Sequence, residues 1–158
     1  MQRRRFITLA GVAALPLSIT ARAHHGWSSF DQARPIYLEG TAQKVVWKNP
    51  HVEFDLQVAP DLTLPADLTT RATPAQSASV DGPALLKTAT LPTRKDRVWH
   101  IELAPLTRIE AWKLPEVKTG DKVSLIGFTF AGEKGEPVLR VEYFYAGGKA
   151  YAMRSSPA

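Results

Sequence analysis

The 158-residue chain contains no cysteine. That absence removes disulfides, thiolate metal sites, iron–sulfur clusters, covalent haem attachment and cysteine nucleophiles, so any metal must be held by histidine, carboxylate or backbone nitrogen. Long apolar runs are missing too, since Phe6 to Ile19 is too short to cross a bilayer as a helix. No serine nucleophile elbow, phosphate loop or zincin motif is present. A surplus of one charge also disappears once the start of the chain is set apart. The whole sequence has 20 Lys+Arg against 15 Asp+Glu, but its first twenty-three residues hold four arginines and no acid. The remaining 16 basic and 15 acidic side chains leave no basic balance of the kind that marks nucleic acid or anionic lipid as a partner.

What is there begins with an export pattern. Arg3, Arg4 and Arg5 precede the apolar, small-residue run, and Ala21 and Ala23 supply the small side chains a signal peptidase requires. The pattern predicts a signal over residues 1–23, cleavage after Ala23, and a periplasmic protein with no stable membrane span after cleavage. Arg3-Arg4-Arg5-Phe6-Ile7 also has twin-arginine form, and that route and the general secretory route both stay open. The residues after the signal suffice for one domain with its own core.

Along that domain, two-residue alternation dominates. Ile36 to Trp47 reads as a long strand, with Gly40 as a bulge or bend, and Asn49-Pro50 as a turn. His51 to Val58 sets Val52, Phe54, Leu56 and Val58 on one face and His51, Glu53, Asp55 and Gln57 on the other. Arg97 to Leu103 alternates likewise, Leu106 to Leu114 has helical spacing, and Lys122 to Phe130 and Val138 to Tyr145 are further strands. Between strands two and three, residues 59–96 are rich in proline, threonine and alanine without periodicity, which predicts a flexible insertion. Residues 147–158 read as a frayed tail after a barrel domain of residues 24–146. The β-β-β-α-β-β order predicts an all-β, OB-like Greek-key barrel with a long flexible loop between strands 2 and 3. Another small barrel or sandwich is the alternative.

Several residues carry a resemblance. His24-His25-Gly26-Trp27-Ser28-Ser29-Phe30-Asp31, Gly40, Val46-Trp47-Lys48-Asn49-Pro50-His51, Trp99, Glu102, Pro105, Trp112 and the Gly120-Asp121-Lys122-Val123 turn resemble the exported bacterial DUF6152-type family of unknown function. The resemblance implies a small exported β-protein and no particular activity.

The chemistry must therefore come from the residues. Cleavage after Ala23 would give His24 a free amine, which with its Nδ1 closes a chelate ring on one metal ion. The amine's ordinary pKa of about 8 lets a metal displace its proton at neutral pH. His51, beside the Asn49-Pro50 turn, is the candidate third ligand, and His25 a further one. A sulfur-free, all-nitrogen set favours copper, with zinc second. The opposing reading makes the histidines a polar start and a turn residue, and the protein a metal-free barrel that docks a ligand or another exported protein. An oxidative copper enzyme is a third reading, opposed by the small room for a substrate platform. Antiparallel pairing should set His100 and Glu102 beside Glu53 and Asp55. Trp99 and Trp112 are expected in the core rather than on a stacking platform.

Overall fold

The computed structural model describes residues 26–158. The signal assigned to residues 1–23, together with His24 and His25, lies outside the described residues. Among the described residues six strands form one sheet, β1 (Ile36–Val46), β2 (Glu53–Val58), β3 (Val98–Glu102), β4 (Lys122–Phe128), β5 (Val138–Ala146) and β6 (Lys149–Ala152). They are ordered β3-β2-β1-β4-β5-β6. A parallel pairing of β3 with β5, His100 opposite Val138 and Glu102 opposite Arg140, joins the sheet to itself and closes a five-stranded barrel. With a helix, α2 (Leu106–Ala111), between β3 and β4, this is the OB-like order expected from the sequence.

The alternation is obeyed inside the barrel. Ala42 pairs with Leu56, Phe54 with Ile101, Leu56 with Trp99, and Leu125 with Phe144. These side chains, with Val52, Leu103 and Leu139, are buried in one core. Burying each such side chain contributes about 1.5–3 kcal/mol. Gly40 is not the bulge. It pairs in register with Val58 on one side and Val123 on the other, and a Cβ there would lie 2.1 Å from the Gln57 carbonyl oxygen. The irregularity falls instead between Gln43 and Val46, where Lys44 takes a φ of 47°.

Residues 59–96 depart from the expected unstructured insertion. They carry a 3-10 turn at Leu68–Thr70 and helix α1 (Gly82–Thr88), whose Asp81 cap accepts a hydrogen bond from the Ala84 N–H at 3.0 Å. The reason lies on the outside of the barrel. Tyr37, Ile126 and Tyr143 point outward from β1, β4 and β5, and Leu68, Leu86 and Ala89 cover them in a second apolar cluster. Gly82 lets the helix start press close, since a Cβ there would meet Thr73 and the Tyr143 hydroxyl. The segment is a strap with a core of its own.

The tail is likewise ordered rather than frayed. Gly147 and Gly148, both at positive φ, turn β5 into β6, and Tyr151, Ala152 and Met153 are buried. Gln76 on the strap donates to Glu142 Oε1 at 2.8 Å, and Arg154 Nε donates to Glu142 Oε2 at 2.8 Å. Strap, sheet and tail are thus tied at one buried carboxylate. Among the described residues no helix is long and apolar enough to cross a membrane.

Candidate functional site

The outward face of β2 and β3 is polar, as the alternation requires. Glu53 pairs with Glu102 and Asp55 with His100. His100 sits between two carboxylates, with Nε2 3.5 Å from Glu53 Oε2 and Nδ1 3.5 Å from Asp55 Oδ1. Lys44 Nζ reaches Asp55 Oδ2 at 3.0 Å. The expected juxtaposition of His100, Glu102, Glu53 and Asp55 is therefore present. The patch is not a fully solvated exterior, because the side chains of His100, Glu53 and Asp55 are only 14–20 % exposed.

At the β2 start of this face, the parallel β3–β5 pair brings Arg140 against Glu102, Nη1 to Oε2 at 3.3 Å, with both side chains buried. Burial pulls the guanidinium below its ordinary pKa, while Glu102 opposes that shift. Arg140 Nη2 lies 3.3 Å from His51 Nε2. A guanidinium only donates, so Nε2 accepts and a neutral His51 carries its proton on Nδ1. His51 is half-buried, two residues before β2 and directly after the cis Asn49–Pro50 peptide.

The start of the described chain lies against the same arginine. The Trp27 ring has the Arg154 guanidinium 4.0 Å from its centroid and that of Arg140 at 5.3 Å, and it meets Phe128 edge-on at 6.3 Å. Phe30 stacks on Phe130 at 5.1 Å and is buried. With Arg140 touching both, the Trp27 ring lies within about 10 Å of His51 Nε2. His24 is three residues before Trp27, a span of at most about 11 Å at full extension.

Of the three proposed ligands, His51 is thus described and placed, whereas His24 and His25 are outside the described residues. Among the described residues no three histidine, cysteine or acidic side chains are grouped to hold a metal. Sequence reasoning missed Arg140 and the clamp on Trp27. A lone arginine within the apolar run Val138-Leu139-Arg140-Val141 was the available signal, because an isolated charge in a buried strand requires a partner. Trp99 is buried as expected, while Trp112 is half-buried and donates from Nε1 to the Ser155 carbonyl at 2.8 Å.

Fold and face together define a small closed OB-like barrel with a charged, partly buried outer patch. Residues 13–65, a third of the chain, match the family described as "Family of unknown function (DUF6152)". The match covers β1, the Trp47–His51 turn and β2, so the family resemblance is shown over that span. No curated protein and no solved structure matches the chain.

Proposed function

We propose that this is an exported, periplasmic binding protein that takes up a copper ion at the start of its processed chain. His24 supplies its amine and Nδ1, His51 supplies a third nitrogen, and His25 lies beside them as a further donor. The observation that carries this reading is the clamp on Trp27, which holds the beginning of the described chain beside His51. A chelating N-terminus needs its third ligand within reach before the metal arrives, and chain length allows it here. Copper is favoured over zinc by the nitrogen-only, sulfur-free donor set. Since Arg140 donates to Nε2, metal binding at that nitrogen requires the guanidinium to swing away, and binding at Nδ1 moves the ring proton to Nε2, which then no longer accepts from Arg140, so the contact is given up either way.

Copper titration of protein beginning at His24 tests the reading. Tight stoichiometric binding is expected, with a loss of about a hundredfold or more when Met precedes His24, and about tenfold on His51→Ala. Equal, weak binding by processed and Met-extended forms would overturn it.

A second reading rests on the contact between Arg140 and His51 itself. A face whose histidines are already engaged by arginine and carboxylates suits a barrel that docks a ligand or another exported protein without metal. That reading gains if copper binding is indifferent to His51 while changes at Glu53 or Asp55 abolish association with an exported partner.

A further inference from the structure

A second site lies at the other end of the barrel, between the strap and the β5–β6 turn. The end of β2, the beginnings of β4 and of the strap, and Gly147-Gly148 enclose a cavity of about 690 Å3. That volume lies in the range of small-molecule sites. One wall is Arg71, which is fixed before any ligand arrives. Its Nη1 donates to Ser124 Oγ at 3.0 Å, and its Nε and Nη2 donate to the two carboxylate oxygens of Asp67 at 3.2 and 3.3 Å. Its guanidinium lies 5.7 Å from the Tyr37 ring centroid and 5.3 Å from that of Tyr145. Lys122 and Lys149 line the same cavity and are exposed, and among the described residues neither has an acidic partner within ion-pair distance. Pro60 and Ala146 add apolar surface to the lining.

We infer that this cavity is a binding site for a small organic monocarboxylate with an apolar or aromatic body. The charge balance selects the valence. Three cations, Arg71, Lys122 and Lys149, face two carboxylates, Glu39 and Asp67, so one further negative charge neutralises the lining. A dianion such as phosphate would leave excess negative charge beside Glu39 and Asp67. The carboxylate belongs at the mouth, between the two unpaired lysines, where its bonds are charge-assisted. The body packs over Tyr145 and Pro60, whose apolar surface a fully polar anion would leave unused. Glu39 is drawn off the ligand, because its Oε2 accepts a hydrogen bond from the Tyr37 hydroxyl. The inference does not depend on the copper reading, since its residues lie at the opposite end of β2 and β5 from His51 and Arg140.

Titration of the purified, isotope-labelled exported protein with benzoate, with a chelator present, tests it by amide shifts. Saturable changes are expected at Val58, Ala59, Gly147, Gly148 and Lys149, with benzamide and inorganic phosphate each weaker by about tenfold or more. The double substitution Lys122→Glu and Lys149→Glu should abolish the benzoate effect. Both side chains are exposed, so its melting midpoint should stay unchanged. Equal binding of benzoate and benzamide would overturn the inference. So would changes centred on Gly26 and Val52, retention of binding by the double variant, or no saturable change.

Discussion

Arg140 and Arg71 both lie against aromatic rings, at opposite ends of one barrel, yet they are held in opposite ways. Arg140 is buried, paired with buried Glu102, and covered by Trp27. Arg71 is one-fifth exposed, paired with solvent-facing Asp67, and borders an open cavity. The difference teaches what each end is suited to. A charge committed to buried partners is expensive to disturb and serves to position its neighbours, here Trp27 and His51. A charge fixed at the edge of a cavity, with two exposed lysines in the same lining, remains able to receive a ligand.

The largest expected effect comes from breaking the buried pair. Glu102→Ala leaves Arg140 uncompensated and should cost about 3–5 kcal/mol in urea unfolding. The paired replacement Arg140→Met with Glu102→Leu should recover most of that loss, and it removes the donor that occupies His51 Nε2.

Next in size is Trp27→Ala, which removes a ring in contact with two guanidinium groups and should cost about 1–2 kcal/mol. On the present account it also loosens copper binding several-fold, since the chain start is no longer held beside His51.

The Arg140 end holds a second committed carboxylate, Glu133, in the β4–β5 turn. Burial alone would raise its pKa. The Thr93 and Arg94 backbone N–H groups, donating at 2.9–3.0 Å, and Arg34 at 2.6 Å outweigh burial and hold it below the ordinary value. A depressed folded-state pKa stabilises above the unfolded value of about 4.3, and the contribution is lost as pH falls through the folded value. Glu133→Gln should therefore lower the melting midpoint at neutral pH and approach the parent protein in acid. The smallest effect is expected at the cavity end, where Asp67→Ala should leave the melting midpoint within experimental scatter because its carboxylate is solvent-exposed.

The inward-facing half of the fold was readable from the chain. Val52, Phe54, Leu56 and Val58 alternate and are all buried, and their outward neighbours form the polar patch. The strap was harder to read, because its proline- and threonine-rich segments lack periodicity and its only α-helix is seven residues long. Its signal lay elsewhere, in the outward apolar positions Tyr37, Ile126 and Tyr143, which an uncovered barrel would expose. His51 could be singled out by its place after Asn49-Pro50. Arg140 could not be joined to it, because the parallel β3–β5 pairing that brings them together links segments distant in sequence.

The most direct test is paramagnetic broadening of backbone amides by substoichiometric Cu(II), using protein that begins at His24. Broadening is expected only at Gly26, Trp27, His51, Val52 and the Arg140 region, with Gly147 to Lys149 untouched, and it should disappear when Met precedes His24. Broadening scattered over exposed carboxylates, or unchanged in the Met-extended protein, would contradict the copper reading.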